Sequence, residues 1–196
     1  MRLSYESLQK QQEVYRQAGI HIPAYSVEEL RSRTAEHPTW LHFGAGNIFR
    51  AFMARLQQRL LEQGEAEVGI VVAEAFDEEL IDRLYRPLEC LSILVTLKGD
   101  GSFDKEVIAS VAEALKLSTD LDTLRRIFRD PGLQMVSMTI TEKGYALQDL
   151  EGNYLPGIRA DLEAGPSGAH TMMGLLTALL LHRYQNGAAP LAVVSM

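Results

Sequence analysis

The stretch LHFGAGNIFRAF, Leu41–Phe52, decides how the rest of the chain is read. An apolar run, Thr39–Phe43 (TWLHF), stops at a glycine pair, Gly44 and Gly46. It opens at once into a helical pattern in which Ile48, Phe52, Leu56 and Leu60 recur every four residues, with Arg50, Gln57 and Arg59 between them. Strand, glycine turn and amphipathic helix together make a place where bare backbone can hold a phosphate. The first glycine allows a tight turn and the second lets the main chain approach a pyrophosphate. The free amides that open the helix, with the helix dipole behind them, then favour negative charge. Taken alone, the glycine pair also reads as an ordinary strand-to-helix turn. One position departs from the GxGxxG pattern. The third glycine, which permits close packing of helix on strand, is replaced by Phe49, so we expect a wider approach or a helix that starts differently.

The next strand follows at Val68–Ala73 (VGIVVA), a run of small and β-branched residues suited to burial on both faces of a parallel sheet. Gly64 is the expected stop of the intervening helix. Glu74 comes directly after the strand, 28 positions beyond Gly46, and Asp77 three positions later. A carboxylate at this place accepts hydrogen bonds from ribose hydroxyls. The stretch EAFDEE, residues 74–79, contains no Lys or Arg. A 2′-phosphate there would face like charge, at a cost of about 4 kcal/mol per pair at ~4 Å in an effective dielectric of ~20. This favours NAD over NADP. The competing reading of these acids is a solvated helix start, where Asp and Glu collect in any case.

Further along, Leu91–Leu97 reads as a strand, Lys98-Gly-Asp-Gly101 as a turn and Val107–Val111 as the returning hairpin partner. Asp120–Asp130 is helical and stopped by Pro131-Gly132. Leu133–Thr141 is a strong strand, Gly152–Gly168 a loop, His170–Gln185 an apolar helix and Leu191–Ser195 a last strand. Thr139-Ile-Thr-Glu-Lys-Gly-Tyr145 leaves its strand at the end where ligands bind. Thr139, Thr141, Glu142 and Lys143 there either orient a nicotinamide amide or form a charged turn around Gly144. Before all this, Ser4–Gln17 reads as one helix capped by Ser4 and ended by Gly19, followed by a connecting segment with a short helix at Val27–Arg33. Strands alternating with helices predict an α/β fold, a mostly parallel sheet covered by helices on both faces. Residues 1–38 form a helical extension, 39–196 the nucleotide-binding domain, and a β-hairpin is inserted within it. The chain ends at the tip of a strand, and we expect it to be a piece of a longer one.

Bulk properties narrow the partners. The 196 residues carry a net charge of −7, which argues against non-specific binding to nucleic acid or an anionic membrane. Cys90 is the sole cysteine, so an internal disulfide is excluded and a reducing cytoplasm is expected. The longest apolar stretch, Met172–Leu181, is too short to span a bilayer, and the N-terminal MRLSYESLQK lacks a signal-peptide core. The five histidines show no HExxH spacing and one cysteine makes no zinc cluster, so no metal is expected. Ser167-Gly-Ala-His170 is not a nucleophile elbow.

Four segments together resemble the mannitol dehydrogenase family of polyol and hexuronate oxidoreductases: LHFGAGNIFRAF; Ile81–Leu115 (IDRLYRPLECLSILVTLKGDGSFDKEVIASVAEAL); Val136–Tyr145 (VSMTITEKGY); and Leu191–Met196 (LAVVSM). They stand in the family's order and spacing from about Thr39 to Met196, and TxTEKGY is the most specific of them. The resemblance implies a Rossmann-like NAD(P)-binding domain followed by a mostly helical domain that supplies catalysis without a metal. In such proteins a Lys-x4-Asn-x2-His motif supplies a lysine base, and the substrates are sugar alcohols or sugar acids. That motif is absent here. The asparagines are Asn47, Asn153 and Asn186, and none has a lysine five residues before it. The resemblance implies that Gly44, Gly46, Asn47, Ile48 and Phe49 line a pyrophosphate, that Glu74 or Asp77 holds the ribose, and that Thr141 and Glu142 lie near the nicotinamide. It also implies that no catalytic residue is in this chain and that a C-terminal domain is missing. The alternatives are a stand-alone nucleotide-binding module without catalysis and an interaction protein that has lost nucleotide binding. An exposed apolar face on the last helix or strand would count for a lost partner domain.

Overall fold

The computed structural model describes residues 2–140, 142–187 and 189–196. In chain order its strands are β1 (Ile20–His21), β2 (Trp40–Phe43), β3 (Ile70–Glu74), β4 (Ser92–Leu97), β5 (Phe103–Ile108), β6 (Val111–Lys116), β7 (Met135–Met138) and β8 (Ala192–Ser195). Its helices are α1 (Tyr5–Lys10), α2 (Gln12–Gln17), α3 (Val27–Glu36), α4 (Ala54–Gln63), α5 (Leu121–Arg129), α6 (Glu142–Tyr145), α7 (Pro156–Ala164) and α8 (Met172–Gln185). Five strands pair in parallel in the order β6-β3-β2-β7-β8. Counted along the chain this is third, second, first, fourth, fifth, the order of a Rossmann sheet, and it reverses direction between β2 and β7. The α/β expectation therefore holds.

The period-two alternation of strands splits the core into two layers. Leu41 and Phe43 of β2, with Val71 and Ala73 of β3, pack under Leu124, Ile127 and Phe128 of α5 and Leu175, Leu176 and Leu179 of α8. Ile70 and Val72 face the other way, against Phe49, Met53, Ile81 and Tyr85. A third cluster joins the N-terminal extension to the hairpin, through Leu8, Tyr15, Val27, Leu91, Val107 and Ala109. There β1 adds to β5 in parallel, giving the small sheet β1-β5-β4.

Four segments differ from the sequence reading. The N-terminal helix is broken at Gln11 (φ −122°, ψ 29°) into α1 and α2. The break lets Tyr15 swing under α1, where it is fully buried and shares a 2.7 Å hydrogen bond with Ser7. The hairpin partner of β4 is Phe103–Ile108, not Val107–Val111, and the chain switches sheets at Ala109-Ser110 to start β6. The expected loop at residues 152–168 contains α7, whose Pro156 occupies the first turn, where its missing N–H has no helical partner to lose. The apolar repeat Ile48, Phe52, Leu56, Leu60 faces outward, with Ile48 68% and Phe52 60% exposed. The buried side is Phe49, Met53, Ala54, Gln57, Gln58 and Leu61, in a helix that opens with a wide π-helical turn at Phe49–Met53.

Gln58 secures the sheet switch. Its side chain is buried; its Nε2 donates to the Val107 carbonyl (2.8 Å), and its Oε1 accepts from the Ala109 amide (2.7 Å) and the Tyr25 hydroxyl (3.3 Å). Gln58→Leu would leave two backbone groups buried without partners, at about 1–3 kcal/mol each. Urea unfolding of this variant is expected to show a loss of about 2–6 kcal/mol.

Candidate functional site

The glycine turn is fixed by contacts that tolerate no side chain. Gly44 takes φ +109°, and a Cβ there would sit 2.9 Å from Thr139 Oγ1 and 3.0 Å from the Thr139 carbonyl oxygen. Only glycine fits on both counts. Its amide donates to the Ala73 carbonyl at 2.9 Å. Ala45 is pinned on both sides: its N–H donates to Glu74 Oε2 (2.7 Å) and its carbonyl accepts from the Tyr85 hydroxyl (2.7 Å). Burial pushes the Tyr85 phenol far up, so it remains a donor. Gly46 is the opposite case from Gly44. A Cβ there would meet nothing within 4 Å, because the position opens onto a cleft of about 520 Å³. The amides of Gly46, Asn47 and Ile48 meet no protein acceptor among the described residues. The cleft lies at the C-terminal ends of β2, β3 and β7, where the strand order reverses and open α/β sheets hold ligands.

Phe49 resolves the departure from GxGxxG. It is fully buried and stacks on the His42 ring, with centroids 4.6 Å apart and planes 11° from parallel. The helix opens with the π-helical turn Phe49–Met53 instead of a tight α-turn, which makes room for a ring between helix and strand. The helix thus starts differently while the Gly44–Gly46 turn is kept.

Of the two candidate ribose carboxylates, Glu74 is buried and lines the cleft, whereas Asp77 is exposed and lies outside the lining. Glu74 Oε1 accepts from the amides of Ala75 (3.0 Å), Phe76 (3.0 Å) and Asp77 (3.4 Å), while Oε2 accepts from Ala45 alone. A carboxylate oxygen offers two lone-pair directions, so Oε2 retains an acceptor site. Asn47, Ile48 and Phe49 line the same cleft, joined by Thr139 from the end of β7. Thr141 and the side chain of Glu142 lie outside the described residues.

The structure joins Thr139 to three side chains that the sequence does not single out as site residues. Trp40 Nε1 donates to Ser137 Oγ (2.7 Å), His42 Nδ1 lies 2.7 Å from the same oxygen, and His42 Nε2 lies 3.1 Å from Thr139 Oγ1. Burial lowers the His42 pKa from 6.5 to about 4. The signal was present in the period-two spacing of Trp40 and His42 on β2 and of Ser137 and Thr139 on and beyond β7, which puts all four on one face. Among the described residues no group of three His, Cys, Asp or Glu side chains could hold a metal, and no helix is long and apolar enough to cross a membrane.

Two outcomes follow from this geometry. The unfolded chain protonates His42 near pH 6.5 and the folded chain only near 4. Stability from this group is therefore complete above about pH 6.5 and is lost as pH falls toward 4. Between pH 7 and 5 the wild type is expected to lose about 2 kcal/mol more than His42→Gln in urea titrations. Gly44→Ala is expected to lower the thermal midpoint by several degrees, about 2 kcal/mol or more of strain and contact, while Gly46→Ala leaves it within about 1 kcal/mol of wild type.

Comparison with known proteins agrees with this geometry. The chain is 45% identical over its whole length to a D-mannonate oxidoreductase of Thermotoga maritima, and 35% identical over 84% of its length to a D-arabinitol 4-dehydrogenase of Ralstonia nicotianae. Its fold superposes over its whole length on a Pseudomonas fluorescens mannitol 2-dehydrogenase solved as a ternary complex with NAD and D-mannitol, with a TM-score of 0.81 and 27% identity. The chain spans 37%, 36% and 38% of these three proteins respectively, little more than a third of each. Residues 38–196 match the mannitol dehydrogenase Rossmann domain, and the chain therefore belongs to the mannitol dehydrogenase family.

Proposed function

We propose that this chain is the NAD-binding part of a two-domain oxidoreductase that moves hydride between NAD(H) and a sugar alcohol or sugar acid. The observation that carries the reading is the set of three free amides, Gly46 to Ile48, facing Glu74 across one cleft at the reversal point of the sheet. The amides suit a pyrophosphate, with Asn47, Ile48 and Phe49 forming its wall, and Glu74 suits the ribose diol, with Asp77 adding negative charge behind it. Thr141 and Glu142 are assigned to the nicotinamide end. The bound cofactor supplies the hydride chemistry, and these residues supply position and charge. Residues 1–38 serve as an extension and 39–196 as the cofactor domain, in a cytoplasmic protein. The higher identity to a mannonate oxidoreductase than to an arabinitol dehydrogenase favours an aldonate and its keto-sugar acid as substrate pair.

The lysine base would come from a further domain, since no Lys-x4-Asn-x2-His occurs here. Surface chemistry supports that domain over a stand-alone module. Three of the four residues of β8 are exposed, Val193 to 46%, and the outward stripe from Ile48 to Leu60 is apolar. Such surfaces suit cover by more protein.

Titration of the purified chain with NADH, following Trp40 fluorescence, is expected to show saturable binding, with NADPH at least about tenfold weaker. Gly46→Ala is expected to weaken NADH by about tenfold or more without loss of fold, as a methyl occupies the pyrophosphate approach. The chain alone is expected to turn over neither mannitol nor mannonate. Steady turnover by it would sink the two-domain reading, and equal affinity for NADPH would sink the ribose assignment.

A further inference from the structure

We infer that His42 is a positioning residue: held as the Nε2–H tautomer, it donates to Thr139 and so leaves the Thr139 O–H free to donate to an acceptor oxygen bound in the cleft. The direction of each hydrogen bond follows from the one before it. An indole nitrogen can only donate, so Ser137 Oγ accepts from Trp40. Ser137 is fully buried, and His42 Nδ1 is its remaining side-chain partner among the described residues. Were Nδ1 protonated, Ser137 would receive two N–H groups and its own O–H would be buried without an acceptor, the arrangement folded proteins avoid. The Ser137 hydroxyl therefore donates to Nδ1.

A neutral imidazole carries one ring proton, which must then sit on Nε2. Burial, with Phe49 stacked on the ring, keeps His42 neutral. Nε2–H donates to Thr139 Oγ1 at 3.1 Å, and the Thr139 O–H meets no acceptor among the described residues. Thr139 lines the cleft, and its Oγ1 lies 2.9 Å from where a Cβ of Gly44 would stand, so the free O–H is beside the glycine turn. Its partner is an acceptor oxygen, and an ionised oxygen of phosphate type makes the stronger bond. The ligand part of this inference rests on the cofactor reading above; the tautomer part does not.

Two measurements separate the parts. Long-range proton–nitrogen correlation of the histidine rings in labelled chain without cofactor, with His42 assigned by its loss in His42→Gln, is expected to show Nε2 protonated and Nδ1 bare at pH 7. A protonated Nδ1 overturns the inference. In NADH titrations Thr139→Val is expected to weaken binding about tenfold, the worth of one hydrogen bond to a charged group. His42→Leu should match it, the double variant should be no worse than either, and His42→Gln, whose amide N–H replaces Nε2–H, should stay near wild type. Losses that multiply in the double variant, or no rescue by glutamine, would mean that His42 only packs, and would overturn its positioning role. Failure of the wild-type chain to take up NADH overturns the cofactor reading and with it the ligand assigned to Thr139, while the ring correlation still decides the relay.

Discussion

The hydrogen bond from the Ala45 amide to Glu74 Oε2, 2.7 Å long, ties the end of the first parallel strand to the end of the second, and the cleft exists because of it. Ala45 is fully buried and Glu74 is the acceptor of its amide; without the carboxylate that amide would be an orphan. Glu74 in turn gathers three amides of its own tail, so one charge closes the open ends of two chain segments. Hydrogen bonds to an ionised acceptor are roughly twice as strong as neutral ones. Reading Glu74 as a ribose ligand alone therefore understates it. The group expected to meet the ribose also sets the turn expected to meet the pyrophosphate, so two adjoining parts of a dinucleotide would be sensed by one side chain.

The second constraint is the layer beneath the turn. A nucleotide-binding helix usually comes close to its strand through a third glycine. Here Phe49 fills that place and His42 lies flat against it, so strand and helix are spaced by a pair of rings. The helix opens with a π-helical widening at Phe49–Met53, where this ring is seated. Along the turn and α4, Ile48, Phe52, Leu56 and Leu60 stand on the outside. Phe49 thus links the unusual helix start to the buried polar relay, by stacking on its histidine.

Those links explain what the residues could and could not announce. β2, β3 and β7 were legible because burial on both faces leaves continuous apolar runs, and the Gly44 turn because only glycine meets its geometry. β6 was not legible: Val111, Ala112, Ala114 and Leu115 with Glu113 and Lys116 between and after them fit a helical spacing as well as a strand, and pairing with β3 settles it. α7 was hidden by Pro156-Gly157, a turn signal that serves equally as a helix start. The face that this helix buries was not legible, because a four-residue apolar repeat does not reveal a π-helical turn at its start. Glu74 was singled out by position, but its amide partners come from the fold of its own tail. His42 drew no attention because a single histidine in an apolar run reads as core.

The two ends of the sheet are finished differently, and the contrast has a physical reading. On the β6 side the sheet is capped: α3 packs over that strand, and Thr34 accepts the Gly69 amide at 2.8 Å, where a close approach leaves room for no Cβ. On the β8 side a parallel strand stands at the edge with most of its residues in solvent. Parallel strands are seldom left so, because both of their faces are built for burial and their free edge invites pairing. The helix α8 that leads into β8 is well anchored, with Arg183 donating to the carbonyls of Phe128, Asp130, Leu133 and Ala189, so the exposure is not a frayed end but a rigidly held surface. A held, uncovered edge next to β7, whose end borders the cleft, is a surface suited to cover by more protein.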